Sequence, residues 1–191
     1  MKTLQNFFDT FGELSSDEKF YLANQFEETH VKKGTPLFEE GEVVDRIYFI
    51  GEGILHHFNY NDFGERKTLD LHDGPCFCTD LHSFSEGKRS EESCVALSDS
   101  TLYVLTKARY NALINSNIKW SNFVKGIIER TLIKMLDQVK NTANKSLEER
   151  YLELVRTKPK IIQNVSLRVI ASYLGTSRET LHRIRRRHLV A

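Results

Sequence analysis

One segment determines more of the fold than any other part of the chain: residues 165–187, which read VSLRVIASYLGTSRETLHRIRRR. Its first half places apolar residues three and four positions apart, which predicts a short amphipathic helix. Gly175 follows, at the point where a helix end commonly needs a residue in the left-handed conformation. Ser177 and Glu179 suit the start of a second helix, which would bury Leu181 and Ile184. The segment therefore predicts a helix-turn-helix.

The second helix of this motif would leave a charged face in solvent. Arg178, Glu179 and Arg183 supply donors and one acceptor, the groups that read base edges in a major groove. The alternative interpretation is a solvated basic face. That alternative applies more strongly to residues 185–187, because three consecutive arginines point around the helix and offer only general attraction to phosphate.

The charge distribution separates this region from the rest of the chain. Residues 150–191 contain ten Lys/Arg and two acidic residues, a net charge of +8. The other residues contain 17 basic and 24 acidic side chains, a net charge of −7, so that the whole chain carries only +1. A basic segment on an acidic body predicts a phosphate-rich partner for the basic segment alone.

The sequence contains neither a basic and apolar leader at its start nor a continuous apolar run long enough to span a bilayer. Its three cysteines are odd in number and unevenly spaced, which argues against a disulfide framework. We therefore expect a cytoplasmic protein that makes no membrane contact.

The remainder of the chain predicts an α+β protein. Residues 1–30 have helical spacing, whereas residues 31–106 contain short β-type runs between glycine-containing turns, a pattern typical of an antiparallel sandwich or barrel. A short helix is predicted for residues 107–115 and a long one for residues 117–145. The polar stretch 141–146 predicts a hinge, which divides the chain into an N-terminal domain (1–116), a long helix with its hinge (117–145) and a C-terminal domain (146–191).

The predicted long helix has an apolar surface wider than one core-facing stripe. Such width favours a homodimer, since one face can pack on its own domain while another meets a second copy. A single wide contact with the core is the alternative. The residues predicted for dimerisation are Trp120, Phe123, Ile127, Ile128, Leu132 and Met135.

The sequence resembles the Crp/Fnr family of bacterial transcription regulators over essentially its whole length. The β region carries the glycine and apolar pattern of that family at positions such as Gly34, Gly41, Gly53 and Gly74. The C-terminal pattern Gly-x-Ser-Arg-Glu-Thr-x-x-Arg, residues 175–183, resembles the family's recognition helix. The resemblance implies a cyclic-nucleotide-binding-like β-roll, a long dimerisation helix and a winged helix-turn-helix. Because the sequence ends soon after the second helix, we expect the wing in residues 160–164.

The resemblance also implies roles for individual residues. Arg178 and Arg183 resemble guanine readers, and Glu179 resembles the acceptor for a cytosine amino group. The implied partners are double-stranded DNA, read as a roughly palindromic operator, and a second copy of the chain, with RNA polymerase as a further candidate. The residues expected to position phosphates are Thr176, Ser177, Thr180 and Arg186.

The effector pocket departs from the family pattern. Nucleotide-binding members carry Gly-Glu-Leu and then Arg-Ser/Thr-Ala, whereas this chain has Thr79, Asp80 and Leu81, followed later by Arg89 and Ser90. Ser90 occupies the position expected for the arginine, and two carboxylates at positions 91 and 92 would oppose a phosphate. We therefore expect a degenerate pocket that binds no cyclic nucleotide, with Asp80 and Arg89 forming an ion pair in an exposed turn.

Other chemistries have weaker support in the sequence. Cys76, Cys78 and Cys94 with His72 or His82 could form a zinc or redox site, but no pair has the usual two-residue spacing, so we expect free cysteines and no metal. The adjacent residues at 56 and 57 should point to opposite faces of a strand. No nucleotide loop or catalytic triad is evident, which predicts a non-enzyme. A β-roll module that binds a protein partner is the alternative to DNA binding, and the basic C-terminal segment argues against it.

Overall fold

The computed structural model describes residues 1–12 and 14–189, except for the side chains of residues 138, 141–143 and 189. Short helices begin the chain, two β-sheets occupy its middle, and helices complete it. The elements are α1 (Lys2–Phe8), α2 (Ser16–Ala23), β1 (Glu27–Val31), β2 (Pro36–Phe38), β3 (Arg46–Glu52), β4 (Leu55–Tyr60), β5 (Arg66–His72), β6 (Cys76–Cys78), α3 (Leu81–Glu86), β7 (Ser93–Ala96), β8 (Ser100–Thr106), α4 (Lys107–Ser116), α5 (Ile118–Asn144), α6 (Leu147–Thr157), α7 (Pro159–Asn164), α8 (Leu167–Tyr173) and α9 (Arg178–Leu189).

The strands form two four-stranded antiparallel sheets, in the orders β1-β8-β3-β6 and β2-β7-β4-β5. This confirms the predicted antiparallel β-roll. The chain passes from β3 in one sheet to β4 in the other through a tight turn at Gly53, whose φ is +110°. A side chain there would overlap Ser100, since an added Cβ would lie 2.0 Å from the Ser100 hydroxyl oxygen. Glycine is therefore required both by the backbone conformation and by the close approach.

The aromatic core of the β-roll centres on Phe49 in β3. Its ring is fully buried and lies 4.9 Å from Phe7, 5.3 Å from Phe77 and 6.1 Å from Tyr103, measured between centroids. These contacts join α1 to both neighbours of β3. The N-terminal helices are thus part of the core of the β-roll.

The C-terminal helices pack on β5, which is an edge strand. Leu71 of β5 and Ile54 belong to the same buried cluster as Leu181 of α9. The backbone N–H of Thr68 donates to the Ser172 hydroxyl of α8 at 2.9 Å, so the side chain satisfies a donor that the edge strand would otherwise leave unpaired. Lys158 donates to the Leu71 carbonyl at 2.8 Å. The helix-turn-helix and the β-roll therefore share a core.

Two predictions about the helices are corrected by the structure. The wing expected in residues 160–164 is wrong, because these residues form α7, which begins with Pro159 at a position where the missing N–H of proline is no disadvantage. The hinge expected over 141–146 is shorter than predicted, since α5 continues to Asn144 and α6 begins at Leu147. Ser146 starts α6 with a reciprocal capping box to Glu149, which explains why the break lies there.

Candidate nucleic-acid interface and effector region

The turn between α8 and α9 is built as the sequence predicts. Gly175 adopts a left-handed conformation with φ +66°, and the N–H of Thr176 donates back to the Ala171 carbonyl at 2.9 Å. The Ser177 hydroxyl accepts from the N–H of Thr180 at 3.1 Å, so it caps the start of α9. These local bonds fix the direction in which α9 leaves the turn.

The outward face of α9 carries the predicted base-reading residues. Leu181 and Ile184 are buried against α8 and α6, which turns Arg178, Glu179 and Arg183 toward solvent. His182 and Arg186 are also exposed and lie between them on the helical wheel. His182 was not among the predicted site residues, although the same periodicity places it on this face.

The last turn of α9 is held by α6. Arg187 lies 3.6 Å from Glu148, and the His188 Nε2 lies 2.6 Å from the same carboxylate. Arg187 is therefore paired within the chain, although it is exposed to solvent like Arg185. This pairing separates residues 185–187, which the sequence analysis treated as one group.

A cleft runs between the start of α9 and the hairpin that joins β4 to β5. Four of the predicted reading and phosphate-positioning residues, those at 176–179, lie opposite a polar and partly basic surface. The residues lining the cleft are Asn61, Glu65, Arg66, Lys67, Arg168, Ala171, Ser172, Thr176, Ser177, Arg178 and Glu179. In this arrangement the N-terminal end of α9 faces its own β-roll across the cleft.

The long helix α5 uses two faces differently. Trp120 is buried and stacks on Tyr21 at 5.4 Å, and Phe123 packs against Phe8 at 5.9 Å, so the first part of the predicted dimerisation set belongs to the core of its own chain. Ile127 is half-buried. Further along, the exposed apolar side chains at spacings of four, three and four form what we call the α5 seam: Ile128 (44% exposed), Leu132 (55%), Met135 (58%) and Val139 (67%).

The effector region is closed by its own hydrogen bonds. Asp80 is buried, and its two carboxylate oxygens accept from the Ser83 N–H at 3.0 Å and the Ser90 hydroxyl at 2.6 Å. Arg89 instead donates to the Gly41 carbonyl at 2.6 Å. The expected exposed turn with an Asp80–Arg89 ion pair is therefore wrong, because capping α3 gives the carboxylate better partners. The other candidates also point elsewhere: Thr79 donates to the Arg46 carbonyl, and Leu81 is exposed.

A separate group of His and Cys side chains lies between the two sheets. Ligand atoms of His57, His72 and Cys78 all lie within 4.8 Å of one another, and Cys78 Sγ is 3.7 Å from Cys94 Sγ. His56 points away and bonds to Thr68 at 2.9 Å, and burial lowers the pKa of its imidazole to about 4, so it stays neutral. His82 is exposed beside Glu86. The sequence analysis did not select His57, because only the strand register places it opposite Cys94.

Comparisons with known proteins agree with this architecture. Residues 28–117 match the family model of the cyclic nucleotide-binding domain. The Cyclic AMP receptor protein of Thermus thermophilus is 25% identical over 182 residues, which cover 91% of this chain and 82% of that protein. None of the helices in the described part of the chain combines the length and apolar character needed to cross a membrane.

Two solved structures show the same fold at lower identity. A putative Crp/Fnr-family regulator from Eubacterium rectale superposes with a TM-score of 0.68 at 21% identity, covering 93% of this chain and 84% of the other. The c-di-GMP-responsive regulator CLP of Xanthomonas campestris gives a TM-score of 0.66 at 16% identity, covering 88% and 89%. The fold is thus a cyclic-nucleotide-binding-type β-roll followed by a helix-turn-helix. Residues 28–117 therefore form a domain of the cyclic nucleotide-binding type, and the chain as a whole is similar in fold to regulators of the Crp/Fnr type.

Proposed function

We propose that this protein regulates transcription by binding a roughly palindromic DNA operator as a homodimer. The observation that carries the proposal is the outward face of α9, where Arg178, Glu179 and Arg183 are exposed while Leu181 and Ile184 hold the helix in place. Arginine offers a bidentate fork to guanine, and glutamate accepts from the cytosine amino group. Thr176, Ser177, Thr180 and Arg186 lie beside them as candidate phosphate contacts.

The α5 seam supports the dimeric part of the proposal. Its four apolar side chains follow the spacing of a coiled coil, in which successive contacts alternate by four and three residues. A second copy of α5 would remove this apolar surface from water. Two helix-turn-helix motifs related by a two-fold axis would then read half-sites about 34 Å apart. Contact with RNA polymerase stays a prediction.

Replacing Arg183 with alanine tests the base-reading role. The operator is first selected from a random duplex pool with the unmodified protein. Arg183→Ala should then weaken binding to that operator by about 1–3 kcal/mol and change binding to random DNA little, since a bidentate base contact is lost. Titration of fluorescent duplexes at one fixed salt concentration measures both affinities.

Arg185→Ala is the matched control, because Arg185 is equally charged and exposed but lies beside the reading face. It should weaken binding to the operator and to random DNA by similar factors and reduce the salt dependence of both. Equal losses on both duplexes for Arg183→Ala would make Arg183 a phosphate contact. Binding that does not respond to salt would contradict the DNA proposal and favour a protein partner.

The proposed regulator acts without a cyclic nucleotide in the family's phosphate-binding segment. Both carboxylate oxygens of Asp80 already accept hydrogen bonds within the protein, and the Arg89 guanidinium is bonded to the Gly41 carbonyl. A nucleotide would have to break these bonds before making its own. We expect calorimetric titration with cyclic AMP to show no binding at micromolar concentrations, and a micromolar Kd would contradict this expectation.

A further inference from the structure

The group of buried His and Cys side chains between the two sheets is the strongest further feature. His57 lies in β4, His72 ends β5, Cys78 ends β6, and Cys94 lies in β7. These four residues come from adjacent strands of one sheet and from the edge strand of the other. Four potential metal ligands therefore converge from separate parts of the sequence.

The imidazoles in this group lack a well-formed hydrogen bond at Nε2 among the described residues. The Nε2 atoms of His57 and His72 are buried, and neither makes a hydrogen bond to any described residue. The Glu92 carboxylate is 2.6 Å from His57 Nε2, but its position does not meet hydrogen-bond geometry. Nearly all buried polar atoms in proteins have a well-formed hydrogen bond, so two buried nitrogens without one in the same place call for an explanation.

The distance between the two sulfurs matches the needs of zinc. Two thiolates on one tetrahedral Zn²⁺, at about 2.3 Å each, lie about 3.8 Å apart. The sulfurs of Cys78 and Cys94 are 3.7 Å apart. The strand register also places His57 directly opposite Cys94, so the imidazole and the thiol come from neighbouring positions of the paired strands β4 and β7.

We propose that His57, His72, Cys78 and Cys94 bind a Zn²⁺ ion inside the β-roll. Two imidazoles and two thiolates form one of the common structural zinc sets, and two thiolates neutralise the charge of the ion in a buried setting. The ligand atoms of His57, His72 and Cys78 already lie within 4.8 Å of one another, and Cys94, whose sulfur is 3.7 Å from that of Cys78, is the proposed fourth ligand. This proposal replaces the sequence-based expectation that the chain has no metal site.

The ion would tie the two sheets together at one end of the β-roll. Cys78 is its ligand from the β1-β8-β3-β6 sheet, and the other three ligands come from the β2-β7-β4-β5 sheet. With four protein ligands the site leaves no open position for a substrate, as in structural zinc sites. The proposal does not depend on DNA binding.

The test uses the full chain, produced without a polyhistidine tag and purified with a thiol reductant and no chelator. We expect about one zinc per chain by elemental analysis, and, after exchange to Co²⁺, the absorption bands of tetrahedral thiolate coordination. A strong chelator should lower the thermal midpoint of unfolding, and added Zn²⁺ should restore it, because the ion binds only the folded state. The chelator experiment needs no variant and so does not depend on whether variants fold.

Substitutions then identify the ligands. Cys78→Ser and His72→Gln should lose the zinc and the cobalt–thiolate bands. Cys76→Ser and His56→Gln should keep the zinc and the cobalt–thiolate bands. The Cys76 sulfur lies 4.0 Å from Nδ1 of His72, which is not the proposed ligand atom. His56 points away toward Thr68. Circular dichroism of each variant checks that it is folded.

Several results would overturn the proposal. The first is protein purified under these conditions that carries no stoichiometric metal and develops no cobalt–thiolate bands. A second is a Cys78–Cys94 disulfide, found by mass spectrometry, in protein that never binds metal. A third is a different pattern of zinc loss among the variants. If Cys76→Ser loses the zinc while Cys78→Ser keeps it, Cys76 and not Cys78 is the ligand. If Glu92→Gln loses the zinc while Cys94→Ser keeps it, Glu92 and not Cys94 is the ligand.

Discussion

Replacing Leu132 with glutamate should convert the protein from a dimer to a monomer at micromolar concentration. Leu132 is central in the α5 seam and is 55% exposed in the single chain. In the proposed dimer it would face the same residue of the second copy. A charge buried there without a partner costs about 3–5 kcal/mol, and the symmetric interface contains two. Since each 1.4 kcal/mol is a factor of ten, the dimer Kd should rise by about 100-fold or more.

Analytical ultracentrifugation over a concentration series measures this change. The control is Ile133→Glu, because Ile133 is exposed to the same extent, 56%, but lies about 100° further round the helix and off the seam. Ile133→Glu should remain a dimer. Operator affinity should fall with dimerisation in Leu132→Glu and be maintained in Ile133→Glu. If the unmodified chain sediments as a monomer, or if both variants dissociate equally, the α5 seam is not the interface.

Truncating Phe49 to alanine should lower the free energy of unfolding by about 3–5 kcal/mol, the range measured for buried aromatic residues. The ring is fully buried and contacts Phe7, Phe77 and Tyr103, which come from α1, β6 and β8. Removing it leaves a cavity that three separate elements would have to close. Denaturant unfolding followed by fluorescence and circular dichroism measures the loss.

Phe63→Ala is the matched control for this substitution. Phe63 lies in the turn between β4 and β5 and is 89% exposed, so its loss should change stability by less than about 0.5 kcal/mol. A loss below about 1 kcal/mol for Phe49→Ala would mean that the neighbouring rings collapse into the space. In that case the N-terminal helices would contribute less to the core than their contacts indicate.

The features that the sequence predicted well are those set by local spacing. Leu181 and Ile184 are buried, Gly175 is left-handed and Ser177 caps α9, all of which follow from residues within one or two helical turns. The long helix α5 was likewise predicted nearly to its ends. Helical periodicity records which side of the helix meets the core, so the exposure of Arg183 could be predicted without knowing what lies beneath it.

The features that the sequence did not reveal depend on contacts between distant strands. Strand β1 has mixed burial and polar residues and thus lacks an apolar pattern, while β2 and β6 are only three residues long. The expected wing failed for a related reason: family resemblance supplied it, but the segment after Pro159 has the composition of a helix. The burial of Asp80 was likewise not predicted, because its second hydrogen bond comes from Ser90, although its capping bond to Ser83 is local.

The proposed metal site shows the same limit most clearly. Residues 57, 72, 78 and 94 have no motif spacing along the chain, because each comes from a different strand. Only the antiparallel register of β4 with β7 and β5, and the approach of β6 from the other sheet, bring them together. The sequence analysis considered Cys78, Cys94 and His72 for a zinc site, but without motif spacing such residues most often belong to an ordinary core, and nothing in the sequence pointed to His57.

The docking of α8 on β5 has a consequence for how this protein can be recombined. Leu71 and Ile54 are built into the same apolar cluster as Leu181, and Thr68 and Leu71 supply backbone bonds to Ser172 and Lys158. A cut at residue 146 therefore does not separate two finished modules. A chimera that grafts the C-terminal helices onto another β-roll should fold well only if the recipient's edge strand offers the same contacts as β5. A functional exchange of the C-terminal domain would therefore have to include β5, which is distant in sequence.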